Sequence, residues 1–417
     1  MKANSGKSAA KDTQNLIIIL SWFVYSAAYF GRYSFSSSIN SIIENFSVSR
    51  AQTGLVGTFF FVAYGVGQVV NGFLCKKYNP RLVFPLALGG SALINVLVFV
   101  LIKSGFMAQN FFVLKYIWML NGVVQSFIWT SIIYIFGENI EQVNMARAGA
   151  AIGTTVPAGT FIAYSSGTLM EHLGIYEWSF VMAAVIMAAV AVSWFILFKP
   201  HTRTDIKAPD MPEATSQNKK RGISRTAFII IAGLAIFAVS NNFIKDGLQN
   251  WIPTILKETY DFSNDKSLIL ATAIYLFGIS GSFIAKAISK RLNDHIIVSV
   301  ILFTIAAALI LAIRLLLNVS AVAVAALLIP VMICGYAINN VVTSLAPLSL
   351  RDELNPGVTA GVLDGFCYIG SAIATYALGS VADRIGWDAS VLMLFITAIV
   401  ASAVALLLKL FGKKKKA

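Results

Sequence analysis

The chain is a succession of apolar runs, near residues 16–43, 52–75, 82–103, 111–137, 145–170, 178–198, 227–256, 267–289, 295–316, 320–349, 356–382 and 388–411. Each is long enough for one helical crossing of a bilayer, which takes about 20 residues. In lipid every backbone amide must be satisfied internally, so continuous runs of this length specify helices. A membrane barrel would instead show short strands alternating apolar with polar residues. The chain is 57% hydrophobic and only 12% charged, against about 25% charged in soluble domains, which excludes a water-soluble enzyme. The expected fold is all-α and integral to the membrane, with twelve transmembrane helices.

The net charge of +13, from 32 Lys and Arg against 19 Asp and Glu, would suggest nucleic acid in a soluble protein. Here its distribution matters more, and no nucleic-acid partner is expected. Twelve crossings put both termini on one side. That side collects the basic N-tail, Lys76, Lys77, Arg81, Arg147, seven residues from Lys199 to Arg225, Lys286, Lys290, Arg291, Arg351, Lys409 and Lys413–Lys416. The other side holds Arg50, Lys103, Lys115, Lys257, Lys266, Arg314 and Arg384. Cytoplasmic loops carry the basic excess, so both termini are expected in the cytoplasm, with the chain in the cell membrane. Three cysteines (Cys75, Cys334, Cys367) and three histidines (His172, His201, His295) lack ligand-like spacing, so no metal or other cofactor is expected. Gly6-Lys7-Ser8 resembles the end of a phosphate-binding loop but lacks the preceding strand and glycine.

An internal repeat organises the chain. Gly167-Thr-Leu-Met-Glu171-His-Leu-Gly174 matches Gly379-Ser-Val-Ala-Asp383-Arg-Ile-Gly386 at an offset of 212, and Lys76-Lys77 matches Lys290-Arg291 at 214. Gly122 maps to Gly335 and Arg32 to Lys245, both at 213. The second six spans therefore repeat the first six in the same orientation, predicting two pseudo-symmetric six-helix bundles, the major facilitator arrangement, with a substrate site between them near the midplane. The expected division is 1–198 for the first bundle, 199–226 for a cytoplasmic linker with Pro200, Pro209 and Pro212, and 227–417 for the second bundle. In span 5, Gly149-x-x-x-Gly153 is expected to pack closely against a neighbour, and Pro157-x-Gly159 to bend the helix.

Charges inside the apolar runs are few. Arg32 is the only one between Asp12 and Glu44; Lys245 and Asp246 are the only ones from Thr226 to Leu256; Asp364 is alone from Leu354 to Ala382. Ionised groups at this depth are costly and normally face a cavity or a partner. Arg32 and Lys245 occupy matching places in the two halves, so both are expected to converge on the molecular axis. With no carboxylate in span 1, an anionic diffusible substrate is the natural partner for Arg32, whose planar fork suits phosphate or carboxylate while Lys245 acts as a point charge. A second reading pairs Lys245 permanently with Asp364. Asp246 is expected to neutralise Lys245 only weakly, because consecutive helix positions point in different directions. Polar and aromatic residues expected to line the site are Tyr29, Tyr33 and Ser36, then Asn121, Gln125, Trp129 and Tyr134, Asn241, Asn242, Gln249 and Trp251, and Tyr336, Asn339 and Asn340.

These motifs resemble a known family. Tyr29-Phe30-Gly31-Arg32-Tyr33-Ser34-Phe35 is similar to the Tyr-x-x-Arg-Lys-x-Phe of the first helix in organophosphate:phosphate antiporters of the major facilitator superfamily. Tyr78-Asn79-Pro80-Arg81 with Phe84-Pro85, Asn121-Gly122-x-x-Gln125-x-x-x-Trp129, Lys245-x-x-x-x-x-Trp251-x-Pro253 and Gly386-Trp387 extend the resemblance over nearly the whole chain. It implies exchange of a phosphate ester for inorganic phosphate by alternating access, with Arg32 as the first-helix phosphate ligand. Lys245 resembles the lysine of glucose-6-phosphate translocases. Tyr33 replaces the family's lysine after the arginine, and Ala158 stands near a histidine of the glycerol-3-phosphate branch. Two other functions are weighed beside this: a proton-coupled symporter of an organic carboxylate such as a sugar acid, with Asp364 as proton carrier, and a non-transporting phosphate-ester receptor. The expected partners are a small anion and the lipid bilayer, and the expected state is a monomer.

Overall fold

The computed structural model of the protein describes residues 2–198, 225–292, 294–346 and 356–413, and every regular element among them is helical. Span 1 comprises Lys2–Ser37 and Ile39–Phe46, span 2 is Arg50–Leu74, span 3 is Pro80–Lys103, and span 4 is Leu114–Asn139. Span 5 comprises Gln142–Gly153 and Thr155–His172, and span 6 is Trp178–Leu197. In the second half, span 7 is Arg225–Tyr260, span 8 comprises Asn264–Gly278 and Ser280–Leu292, and span 9 is His295–Leu316. Span 10 is Ala321–Asn340 followed by a π-helical turn at Val341–Leu345, span 11 is Pro356–Ile385, and span 12 is Trp387–Lys413. The linker expected at 199–226 falls outside the described residues except for its last two positions, as does the lysine tail beyond Lys413. The first helix begins at Lys2, well before the apolar run near residue 16.

Ten stretches among the described residues are long and apolar enough to cross a membrane on their own, and spans 5 and 7 are not among them. Their sequences explain the shortfall. Span 7 carries Asn241, Asn242, Lys245, Asp246, Gln249 and Asn250, all buried, so its polar face is turned to protein rather than lipid. Span 5 is interrupted at Thr154, one turn before Pro157. A proline ring clashes with the carbonyl four residues back and offers no N–H to it, so the break falls at Gly153, earlier than the bend expected at Pro157. Among the described residues the close packing expected at Gly149 and Gly153 is not found, for nothing beyond their own stretch of helix lies within 4 Å of where their side chains would start. Gly159 has that role instead: a Cβ there would meet the Ser26 carbonyl at 2.5 Å and Tyr29 at 2.6 Å.

Neighbour relations repeat between the halves. Span 1 packs on spans 5 and 6, span 2 on 4, and span 3 on 6; correspondingly span 7 packs on 11 and 12, span 8 on 10, and span 9 on 12. The halves meet through span 2 against span 11 and through its repeat equivalent, span 8 against span 5. Where spans 1 and 7 meet, each bond joins repeat-related positions. Ser36 donates to Asn250 at 2.6 Å, Thr254 donates to Asn40 at 2.7 Å, and Lys257 bonds Glu44. These partners lie 214, 214 and 213 residues apart, the sequence repeat itself, so the contact runs along the pseudo-twofold axis.

At the end of the molecule away from the termini, polar bonds latch the halves. Arg50 forks between Glu258 and Asp383. Asp383 also accepts from the Arg50 and Ala51 backbone N–H groups, at 3.2 and 2.7 Å. A span 11 carboxylate thus caps the start of span 2, satisfying orphan amides and meeting the positive end of the helix dipole. Span 1 breaks near this level at Ser38, after Ser34, Ser37 and Ser38 have bonded back to carbonyls of their own helix, a habit that bends helices.

Candidate functional site

Arg32 reaches the interface from span 1 and is 4% exposed. Its guanidinium carbon lies 4.3 Å from the centre of the Tyr64 ring, 4.5 Å from Tyr29, 5.0 Å from Phe60 and 5.8 Å from Tyr368. Rings from spans 1, 2 and 11 therefore form a cage whose faces attract the cation. Two weak polar contacts complete it: Nε donates to Gln125 Oε1 at 3.4 Å and Nη1 to the Tyr368 hydroxyl at 3.5 Å. The Gln125 carbonyl faces Arg32 because its amide donates elsewhere, to Ser91 at 3.0 Å and Asn121 at 3.3 Å. Among the described residues no carboxylate bonds Arg32, and its Nη2 is buried without a partner. Beside it the Tyr64 hydroxyl is also buried and unsatisfied. Buried donors are ordinarily paired, so this cluster marks a place for an acceptor.

Lys245, 5% exposed on span 7, differs from expectation. It bonds neither an open site nor Asp364 but the neighbouring Asp246, whose other oxygen accepts from Ser371 of span 11. Backbone positions one residue apart do point in different directions. The four-carbon lysine stem, however, is long enough to curl round its own helix and bring the ammonium to the adjacent carboxylate. Gly335 lets it lie flat, since a Cβ there would meet the Lys245 stem at 3.1 Å. The ammonium also sits 5.4 Å from the Tyr336 ring.

Asp364 is half-buried on span 11, with Oδ2 enclosed and unpartnered. It shares a helical face with Tyr368 and Ser371, four and seven residues on, and lies within electrostatic reach of Arg32, Lys245 and Asp246.

The remaining expected residues divide by depth. Tyr29 and Tyr33 stack at 6.0 Å beside Arg32, and Tyr33 approaches Tyr164 at 6.1 Å. Asn241 is buried one turn before Lys245 with its Nδ2 unsatisfied. Trp129 stacks on Tyr25 at 4.9 Å, a layer nearer the termini. Tyr134 is farther that way, nine residues beyond Gln125 or about 14 Å along a helix. Asn340 closes the regular part of span 10 just before the π turn. Tyr336 donates to Gln249 at 3.3 Å, joining it to a different cluster. There Pro253 cannot bond the Gln249 carbonyl, and the hydroxyls of Tyr164 and Tyr275 replace the missing N–H at 2.6 and 2.8 Å. Tyr64, Phe60 and Tyr368 were not expected; the one signal for them was the spacing of Tyr368 four residues after Asp364.

Two six-helix halves with buried ionisable groups at their junction define a membrane transporter fold. The sequence model of the Major Facilitator Superfamily matches residues 21–349, and the chain belongs to that superfamily. Over 109 residues it is 30% identical to the membrane sensor protein UhpC of Escherichia coli (strain K12), covering 26% of this chain but only 23% of that one. The glycerol-3-phosphate transporter of Bacillus subtilis (strain 168) matches nearly end to end, with 22% identity over 95% of this chain and 93% of its own. Among solved structures, a bacterial homologue of the human lysosomal transporter Spinster superposes with a TM-score of 0.73 at 13% identity, covering 95% of this chain and 96% of its own. That likeness shows the fold.

Proposed function

We propose that this protein is a secondary antiporter of the cell membrane that exchanges an organic phosphate ester for inorganic phosphate, acting as a transporter and not as an enzyme. One observation carries the reading: Arg32 is a buried cation at the junction of the halves, caged by rings, with a bare Nη2 and, among the described residues, no bonded carboxylate. A phosphate oxygen is the kind of acceptor such a guanidinium lacks, and guanidinium–phosphate bonds are among the strongest neutral-pH hydrogen bonds a protein makes. The end-to-end relative named a glycerol-3-phosphate transporter supports a phosphate ester as cargo. The sensor supports the receptor reading less, because its match covers under a quarter of that protein. The basic excess on the termini side supports a cytoplasmic location for both ends, and the protein works as a monomer in the bilayer.

Exchange follows from what closure does to the site. Shutting the halves round an empty centre strands Arg32 Nη2, the Tyr64 hydroxyl and Asp364 Oδ2 away from water. A bound anion satisfies the donors and makes the closed state favourable. Only such differential affinity lets a ligand drive a conformational change. Lys245 joins when the anion competes with Asp246 for its ammonium, which supplies the second cation from the other half.

Reconstituted vesicles test the proposal. Phosphate-loaded vesicles take up labelled glycerol 3-phosphate or a hexose phosphate, empty ones do not, and Arg32→Ala is inactive in both. Undiminished uptake into empty vesicles overturns exchange; activity of the Arg32→Ala variant overturns the site.

A further inference from the structure

Among the described residues, the side chains of the central layer that carry charge at neutral pH are Arg32 on span 1, Lys245 and Asp246 on span 7, and Asp364 on span 11. With both carboxylates ionised their charges cancel. An incoming phosphate would then leave the layer with a net negative charge in a place where uncompensated charge is heavily penalised. Resting on the exchange reading above, we infer that Asp364 takes up one proton as the anion binds and returns it as the anion leaves.

The geometry distinguishes Asp364 from the other carboxylate. Asp246 is occupied by the Lys245 ammonium and the Ser371 hydroxyl. Asp364 has a buried Oδ2 with no partner, although the residue as a whole is not fully enclosed, so a proton has an oxygen to occupy. The groups facing Asp364 are Arg32 and Tyr25 of span 1, Tyr64 of span 2, Lys245 and Asp246 of span 7, and Cys367 and Tyr368 of its own helix. The phenols and the thiol are uncharged over the working pH range, which leaves a carboxylate to balance the cargo. The step is a plain proton transfer: a solvent hydronium gives its proton to an Asp364 oxygen, forming the carboxylic acid and water, and release reverses it.

This coupling is silent in exchange, because one anion enters with a proton and the counter-anion leaves with one. It shows in binding. Purified full-length protein is titrated with inorganic phosphate in buffers of different ionisation enthalpy, and proton uptake is read from the dependence of the heat on the buffer. Phosphate's own ionisation is common to all variants and cancels in the comparison. Wild type takes up about one proton more per phosphate than Asp364→Asn, and its affinity falls about tenfold per pH unit more steeply above the titration of Asp364. Asp364→Ala is the second proton-free variant, and thermal unfolding identifies which variants are folded. Equal proton counts in wild type and a folded variant overturn the inference while leaving the exchange reading intact. Absence of phosphate binding by wild type, together with failed vesicle exchange, overturns both.

Discussion

Arg32 and Lys245 occupy repeat-related positions 213 residues apart, both nearly inaccessible, yet their surroundings have diverged. Arg32 is held by ring faces and two long polar contacts, with a donor to spare. Lys245 is already neutralised by the next residue in its own helix. Pseudo-symmetry therefore fixes where the two cations stand and leaves their chemistry free. One half presents a buried guanidinium with an unpaired donor; the other holds its cation against a carboxylate of its own helix. A site in which both were open would hold two bare like charges whenever cargo was absent, and one in which both were paired would have nothing to offer an anion.

Substitutions at four residues press on this contrast. Lys245→Ala should have the largest effect, because it leaves Asp246 buried with only Ser371 as a partner; breaking a buried pair from one side costs about 3–5 kcal/mol. Thermal unfolding in detergent should show the loss, and adding Asp246→Asn should restore most of the stability without restoring exchange. An unchanged unfolding temperature in the single variant would mean that the pair does not balance the second half. Next, Arg32→Lys keeps the charge but loses the fork and the ring stacking. Half-saturation for phosphate in vesicles should weaken about 10- to 100-fold, since a hydrogen bond to a charged group contributes about 1.5–3 kcal/mol. Lys245→Arg should change the same constant less, and equal losses would erase the distinction drawn between the halves. The smallest expected effect is that of Tyr368→Phe, which retains the ring near Arg32 and removes a hydroxyl 3.5 Å from Nη1. Losing about 1 kcal/mol weakens phosphate about fivefold, measurable as a reduced phosphate-dependent rise in unfolding temperature.

Much of this architecture was legible before any fold was considered. The apolar runs give twelve crossings, and the repeat offset of 212 to 214 matches the 214-residue separation of the axial contacts of Ser36 with Asn250 and Asn40 with Thr254. Arg32 was legible too, as the one charge in its span. The cage was not: nothing in the sequence singles out Tyr64 or Phe60, and spans 2 and 11 bring Tyr64, Phe60 and Tyr368 to the guanidinium only in the fold. Asp246 was misjudged because backbone direction was taken for side-chain reach, and Gly149 and Gly153 because glycine spacing alone does not say whether a neighbour is present.

The primary structure by itself determined the number of crossings, the duplication and the buried cations. The physical reason is local for ten of the spans: in hydrocarbon each segment must close its own backbone hydrogen bonds, so an apolar run declares a crossing by itself, whereas the more polar spans 5 and 7 are recognised as the repeat partners of spans 11 and 1. Which group neutralises which was decided only in the assembled molecule. Those bonds join helices far apart in the chain, and their partners are chosen by how closely the helices approach, whether at Gly335 beneath the Lys245 stem or at the three spans that surround Arg32.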